Sequence, residues 1–281
     1  MTIFTAPRPF KGEFDIIQRN GIKSWTLLKP ECEVILFGNE EGTEKAANDL
    51  GVRHIPDLKI NEFGTPMLDD MLLKAKTFAS NEILVMLNPD VILTNDFTRA
   101  VERAKEEIKK YGKDEFLMAG QRWNLDLKGP INFDDSNWEK ALKEKIKDNG
   151  KMLGASGMDY LVFPRQTEFE VSGIAMGRAG VDNCLFYQAK EKGMLTIDAT
   201  PAVEIIHQNH DYPKKRTNSY KIENERNLEL MGFSRLATLR DADLILTKEG
   251  FKKPSFKRTI LSSPALRPLL GLKRWIQFKI L

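Results

Sequence analysis

The sequence predicts an α/β fold in which helices cover a mixed but mainly parallel central sheet. Over the first two thirds of the chain, short apolar runs alternate with segments of helical periodicity, as in successive βα units. Neither an internal repeat nor a low-complexity linker interrupts this pattern, and 281 residues are enough to bury one continuous core. We therefore expect a single domain over residues 1–251, followed by a separate helical tail over residues 252–281.

The expected strands are apolar runs that end at glycine or at polar residues. Residues 33–37 (EVILF) stop at Gly38, and residues 82–87 (EILVML) stop abruptly at Asn88-Pro89-Asp90 before a brief resumption at 91–93. The remaining strands are expected at residues 2–6, 52–55, 116–120, 158–163, 195–199 and 203–206.

Helices are expected where apolar residues recur every three or four positions. Thr65 and Pro66 suit the cap and the first turn of one helix, and Gly51 suits the end of another at residues 43–50. Further helices are expected at residues 14–28, 97–111 and 179–192. After about residue 125 the pattern loosens into a polar segment at 134–149.

Composition narrows the class of protein. A hydrophobic content of 41% with 30% charged residues is ordinary for a soluble globular chain. No apolar run is long enough for a spanning helix or a signal-peptide core. Cys32 and Cys184 lie in apolar surroundings and are interpreted as reduced core residues. These features favour a cytoplasmic location.

Basic charge is concentrated in the tail. Residues 252–281 contain eight Lys or Arg and no Asp or Glu. Because the net charge of the whole chain is +3, residues 1–251 carry a net charge of −5. An acidic body argues against a nucleic-acid partner. The tail also carries Trp275 among Leu and Ile, which is typical of an interfacial helix at the inner membrane face. The alternative is a terminal helix that docks on the domain.

Three segments carry candidate chemistry. Asp90 follows a buried strand, where α/β proteins bind ligands and where a carboxylate can hold Mg²⁺ or Mn²⁺; the alternative is a plain turn. His207 and His210 suit a metal or phosphate, or else cap a polar loop. Asp182, in the first turn of a helix, suits a general base, or else only stabilises the helix.

Other strand ends supply weaker candidates. Gly38 precedes Asn39-Glu40 and could meet a nucleoside. Arg122 suits a phosphate oxygen or a surface carboxylate. Asp159 and Tyr160 lie at the start of an apolar strand, where Asp159 could bind sugar or acceptor hydroxyls.

Together these segments resemble a known family. The segments are residues 5–10 (TAPRPF), Gln18 with Ser24-Trp25, and residues 35–42 (ILFGNEEG), 64–70 (GTPMLDD), 87–93 (LNPDVIL), 120–127 (GQRWNLDL), 157–165 (GMDYLVFPR), 177–183 (GRAGVDN) and 197–212 (IDATPAVEIIHQNHDY). Their order resembles the nucleotide-diphospho-sugar transferases, in particular family-2-like glycosyltransferases of the Rossmann-like GT-A fold, over roughly residues 2–212.

The resemblance implies a role for each segment. Asn88-Pro89-Asp90 takes the place of the family's DxD motif, with Asn88 at the first aspartate, where it would contact ribose or a metal-bound water. Asp90, with His207 or His210, would hold Mn²⁺ or Mg²⁺ on the donor diphosphate, and Asp182 would be the base of an inverting transfer. The implied nucleoside contacts are Thr5, Ala6, Pro7 and Gly38.

The resulting hypothesis is a metal-assisted glycosyltransferase that moves a sugar from a nucleotide diphosphate sugar to a hydroxyl of a glycan or lipid-linked acceptor. One alternative is a sugar-nucleotide nucleotidylyltransferase, but residues 7–12 (PRPFKG) lack the glycine cluster of its phosphate loop. The other is a non-catalytic nucleotide-sugar or glycan-binding module at a membrane.

Overall fold

The computed structural model describes residues 1–211 and 217–255, so the predicted tail lies almost entirely outside the described residues. The strands, in chain order, are β1 (Thr2–Thr5), β2 (Glu33–Phe37), β3 (Arg53–Ile55), β4 (Ile83–Leu87), β5 (Val91–Ile92), β6 (Phe116–Ala119), β7 (Arg122–Leu125), β8 (Lys151–Met152), β9 (Tyr160–Pro164), β10 (Leu195–Asp198), β11 (Ile205–Gln208), β12 (Leu244–Thr247) and β13 (Gly250–Lys252). The helices are α1 (Glu13–Thr26), α2 (Thr43–Leu50), α3 (Leu68–Phe78), α4 (Asn95–Ile108), α5 (Trp138–Asn149), α6 (Val181–Glu191) and α7 (Asn218–Met231).

Within the described ranges, the central sheet has nine strands in the order β13-β12-β10-β6-β9-β4-β1-β2-β3. The pairs from β4 to β3 are parallel, as are β6 with β10 and β10 with β12. Only β9, between β4 and β6, and the edge strand β13 run antiparallel. The predicted α/β class with a mainly parallel mixed sheet is confirmed.

The central sheet is buried on both faces because its strands are almost continuously apolar. In β4, Val85 and Leu87 pack into the core on the α1 and α4 side, while Leu84 and Met86 pack into the core on the α3 and α6 side. This alternation follows from the two-residue period of a strand. In the part of the chain that the structure describes, no helix is both long and apolar enough to cross a bilayer.

A second, smaller sheet has the order β5-β11-β7-β8. Residues 91–93 were expected to resume the strand before them, but β5 leaves the central sheet and pairs antiparallel with β11, with Val91 opposite His207. Strand β11 in turn runs parallel to β7. This small sheet brings the segment after β4 into register with the histidine segment.

The structure differs from the prediction at the start of one helix and in the presence of another. Helix α3 begins at Leu68 rather than near Thr65. Thr65 and Pro66 lie in extended pairing before the helix: Pro66 forms an antiparallel bridge with Ile60, and the Thr65 carbonyl accepts a hydrogen bond from Asn61 N. The polar segment at 134–149 contains a true helix, α5, whose Leu142 and Ile146 pack under the small sheet.

Candidate functional site

A cleft of about 430 Å³ opens where β1, β4 and the small sheet end, and most of the predicted residues line it. These are Thr5, Ala6, Pro7, Asn88, Asp90, Arg122, Asp159, Asp182 and His207. A larger groove of about 790 Å³ lies between α3, α6 and α7, but none of the predicted residues lines it. The smaller cleft therefore contains most of the polar residues that were predicted to bind ligand or to act in catalysis.

Asp90 and His207, which line this cleft, meet the buried His210 side chain at one point. Asp90 Oδ2 lies 2.9 Å from His210 Nε2 and 3.4 Å from His207 Nε2. The three ligand atoms all lie within 4.8 Å of one another. The convergence follows from the pairing of β5 with β11, which sets the residue before Val91 beside the end of the histidine strand.

The chemistry of this metal triad fits a divalent cation. His210 Nδ1 lies 2.7 Å from the Asp211 carbonyl oxygen, which can only accept, so Nδ1 carries a proton and Nε2 is the nitrogen that faces Asp90 and is available to a cation. A lone pair and a carboxylate oxygen repel each other unless a proton or a cation lies between them. Two ligands about 2.1 Å from one ion at a right angle are ~3 Å apart, close to the separations found here.

Asp90 is poised to remain ionised. Burial alone would raise the pKa of its carboxyl group, but the hydrogen bonds to His207 and His210 outweigh burial and hold the pKa well below its usual range. Its second oxygen, Oδ1, is buried and has no hydrogen-bond partner among the residues described. An ionised carboxylate with an unused buried oxygen is what a cation ligand requires.

Helix α1 fixes the loop that carries Asp90. Trp25 Nε1 donates to the Val91 carbonyl over 2.8 Å, and Ser24 Oγ accepts from Leu93 N over 3.0 Å. Gly21 lets the helix approach so closely that a Cβ atom there would lie 2.3 Å from the Pro89 carbonyl oxygen. The Ser24-Trp25 pair of the sequence motif therefore supports the loop rather than contacting ligand.

Substituting Gly21 with alanine should displace this loop. Because the added methyl group meets backbone rather than a flexible side chain, we expect overpacking of about 1–3 kcal/mol, together with weaker Mn²⁺ binding measured by calorimetry. Gly154→Ala is the matched control, since a Cβ there meets no atom within 4 Å. Unchanged Mn²⁺ affinity in a less stable Gly21→Ala chain would contradict the positioning role of α1.

Asn88, Arg122 and Asp159 form a network beside the metal triad. Asn88 Nδ2 donates to Asp159 Oδ1 over 3.1 Å, and Arg122 forms an ion pair with Asp159 Oδ2. Burial raises the pKa of Asp159, and the Arg122 guanidinium opposes this rise without cancelling it. The amide nitrogen of Asn88 is thus directed to Asp159, and Arg122 pairs with a carboxylate inside the cleft rather than at the surface.

Asp182 lies in the first turn of α6, at the wall of the cleft. Burial, and then the neighbouring Asp159 carboxylate, raise its pKa to about 7, against the opposing effect of Arg122. Gly180 takes the left-handed backbone conformation before the helix, with φ 85°. A carboxyl group with a pKa near neutrality inside a cleft has the property that a general base needs.

Helix α7 holds the loop before Asp182, and the sequence analysis did not find it. Its buried polar residues bind backbone: Asn224 Oδ1 accepts from Ala179 N, and Asn227 accepts from Ala175 N and donates to Ala175 O. Glu223, only 1% exposed, pairs with Arg178 in the cleft wall. The available signal was the spacing of these polar residues along one helix face.

The N-terminal wall of the cleft is held in a similar way. Gln18 accepts from Arg8 N over 2.7 Å and donates to Arg8 O over 3.0 Å, which fixes the chain just after Thr5, Ala6 and Pro7. Arg8 lies over the ring of Phe14, whose edge contacts His210. Arg8 therefore belongs to the cleft although the sequence did not single it out.

Three predicted residues are not among those that line the cleft. One is His210, whose side chain is fully buried and contacts the lining residue Asp90. Tyr160 is 1% exposed and packs edge-on against Phe97 in the core, 5.2 Å away, because its strand position faces the α4 side of the sheet. Gly38 is buried at the end of β2, where its carbonyl accepts from His54 Nε2 over 2.8 Å. Tyr160 and Gly38 are not part of the site that we propose.

Comparison with known proteins gives a distant likeness only. No family model and no curated protein matches the sequence. Among solved structures, glucosyl-3-phosphoglycerate synthase from Mycobacterium tuberculosis with Mg²⁺ and UDP matches at 15% identity and TM-score 0.47, covering 82% of this chain and 78% of that one. The same enzyme with Mn²⁺, UDP-glucose and phosphoglyceric acid matches at 15% identity and TM-score 0.45, covering 82% and 79%. We therefore infer function from the side chains of the cleft.

Proposed function

We propose that this chain is a metal-assisted glycosyltransferase of the GT-A type, which moves a sugar from a nucleotide diphosphate sugar to an acceptor hydroxyl. The observation that supports this proposal is one cleft whose lining includes Asp90 and His207, which meet His210 in the metal triad, and a separate carboxyl group, Asp182, of raised pKa. A transfer of this kind needs charge neutralisation at the leaving group and proton removal at the acceptor.

The residues divide between these two tasks. Asp90, His207 and His210 would hold Mn²⁺ or Mg²⁺, which as a Lewis acid neutralises charge on the departing diphosphate. Thr5, Ala6 and Pro7 would line the nucleoside side of the cleft. Arg122, paired with Asp159, would orient donor oxygens.

Asp182 would act on the acceptor. In its ionised form it removes the proton of the acceptor hydroxyl as that oxygen forms a bond to the anomeric carbon and the bond from that carbon to the diphosphate oxygen breaks. The proton ends on Asp182 and the electron pair of the broken bond on the diphosphate. A single displacement of this kind inverts the anomeric configuration.

The acceptor is proposed as a glycan or a lipid-linked sugar. The tail that would bring the chain to a membrane falls in residues 256–281, outside the described residues, so peripheral attachment remains a prediction from the sequence. Flotation with anionic liposomes, comparing the full chain with one that ends at Ser255, after strand β13, tests it. Equal soluble fractions would contradict it.

The proposal is tested by donor binding and turnover. Thermal shift against UDP-, GDP- and dTDP-sugars, each with Mn²⁺ or with EDTA, should identify one nucleotide class whose stabilisation requires the cation. Release of that nucleoside diphosphate should then depend on an added acceptor. Stabilisation without release under any acceptor would favour the non-catalytic binding module, and no stabilisation by any donor would contradict the proposal.

A further inference from the structure

Asn124 lies next to His207 in the small sheet, and none of the roles above uses it. In the parallel pairing of β7 with β11, Asn124 is in register with His207. Neighbouring strands are about 4.8 Å apart, and residues in register leave the same face of a sheet. Arg122, two residues earlier on that face, reaches Asp159 in the cleft. Asn124 therefore extends from the face that carries the metal triad.

A merely structural role does not explain the buried amide oxygen of Asn124. Oδ1 is buried, and among the described residues it has no hydrogen-bond partner. Leaving a buried acceptor without a donor costs about 1–3 kcal/mol, so such an atom in a native protein requires an explanation. The residues on either side, Trp123 and Leu125, pack with Ile206 on the opposite face and account for the apolar contacts of the strand.

His207 needs an acceptor of this kind if it is to bind a cation. Its Nε2 is the atom that faces Asp90, so when Nε2 binds the cation the proton of the neutral ring must reside on Nδ1. Metal-binding histidines almost always donate that proton to a carboxylate, a carbonyl or a water. His210 has such an acceptor in the Asp211 carbonyl oxygen.

We propose that Asn124 Oδ1 accepts the Nδ1–H of His207 through one bound water, and so holds that imidazole in its metal-binding tautomer. This makes Asn124 a positioning residue for the cation, and the inference rests on the metal site of the proposed function. An amide suits the position because it is a neutral acceptor, whereas Asp90, Asp159 and Asp182 already supply three carboxyl groups to the cleft.

The test is Mn²⁺ affinity of the full chain without any sugar nucleotide, measured from the electron paramagnetic resonance signal of free Mn²⁺. Asn124→Leu, which keeps the size but removes the acceptor, should weaken binding by about 10–100-fold. Asn124→Asp, which keeps an acceptor, should bind Mn²⁺ at least as tightly as the unchanged protein. Asn149→Leu makes the same change at the exposed end of α5 and should have no effect.

A second readout does not depend on activity. The chain has only three histidines, so long-range ¹⁵N–¹H spectra can report the tautomer of each ring. At the same Mg²⁺ concentration, His207 should be in the Nδ1–H form in the unchanged protein and in Asn124→Asp, and mixed in Asn124→Leu. Thermal unfolding of each variant verifies that it is folded.

The possible failures are distinguishable. Equal Mn²⁺ affinity in Asn124→Leu and the unchanged protein, or an equal loss in the Leu and Asp variants, would overturn the role of Asn124 and leave the metal site standing. No Mn²⁺ binding by the unchanged protein would overturn the metal site and this inference together. If the affinity pattern holds but no donor is turned over, sugar transfer is refuted and the role of Asn124 stands.

Discussion

Asp182→Asn should reduce sugar transfer by about 10²–10⁴-fold, because asparagine cannot take a proton from the acceptor. Mn²⁺ and donor binding should be unchanged, since Asp182 is not one of the metal ligands. The loss should therefore appear in kcat at saturating donor, measured by release of nucleoside diphosphate. A variant that keeps its rate would favour the non-catalytic binding module.

The same substitution should stabilise the protein at neutral pH. The pKa of Asp182 is about 7 in the folded chain and about 3.9 in an unfolded one. Between these values the folded state keeps a proton that the unfolded state has released, so ionisation of Asp182 lowers stability as pH rises from about 4 to 7. Asparagine has no such dependence. The melting temperature of Asp182→Asn should therefore exceed that of the unchanged protein at pH 8 and converge with it near pH 4.

The sign of this change in melting temperature distinguishes a catalytic role of Asp182 from a purely structural one. If it served only to stabilise the first turn of α6, its removal would cost about 0.3–1 kcal/mol at neutral pH. Asp69, in the first turn of α3, provides the matched control, and Asp69→Asn should lose a little stability and no activity. A lower melting temperature for Asp182→Asn at pH 8 would assign Asp182 to the helix rather than to catalysis.

Activity of the unchanged protein should follow the same ionisation. Asp182 acts as a base only when ionised, so kcat should rise with pH through about 7 and then level off. Cation binding in the cleft adds positive charge and would move this midpoint downward. A flat profile from pH 5 to 9 would contradict the assignment of Asp182 as the base.

The framework of the fold was accessible from sequence because its strands are short apolar runs. Strand β2 and helix α2 have the predicted bounds, since Gly38 and Gly51 take left-handed conformations that end each element cleanly. The pairing of β5 was not predictable. Periodicity gives the strand at Val91 but not its partner, and its partner is what brings Asp90 to the histidines.

The residues that support the site were harder to predict because they are polar side chains at buried positions, where apolar residues are usual. Helix α7 buries Glu223, Asn224 and Asn227 where an amphipathic helix would bury apolar residues. Strand β7 carries Asn124 at a position whose only distinguishing property is its register with His207. Such residues bind backbone or orient other side chains, and that role is visible only once the partners are placed.

Asp90→Asn should cause the largest loss of metal binding. It removes the one carboxylate of the metal triad, and the amide that replaces it carries no charge for the cation. We expect the Mn²⁺ affinity to fall by more than the ~10–100-fold typical of residues that act through a ligand, and sugar transfer to fall with it. Asp134→Asn, at an exposed position, is the control.

The unchanged site should also discriminate between cations. Two of its three proposed protein ligands are imidazole nitrogens, which suit transition metals better than Mg²⁺. Mn²⁺ should therefore bind more tightly than Mg²⁺ in calorimetric titrations, and EDTA should abolish transfer until Mn²⁺ is restored. Equal affinities for the two cations would mean that oxygen ligands dominate and that the histidines do not bind the metal.

Stability without metal gives Asp90→Asn a signature opposite to that of Asp182→Asn. Asp90 Oδ2 interacts with both His207 and His210, and breaking a buried hydrogen-bonded pair by changing one partner is destabilising. The metal-free Asp90→Asn chain should melt below the unchanged protein at pH 8, where Asp182→Asn melts above it. Two aspartates of one cleft would then respond in opposite directions, because one is held ionised by its neighbours and the other resists ionisation. Melting shifts of the same sign would show that the two carboxyl groups do not have the separate electrostatic environments that a metal ligand and a base require.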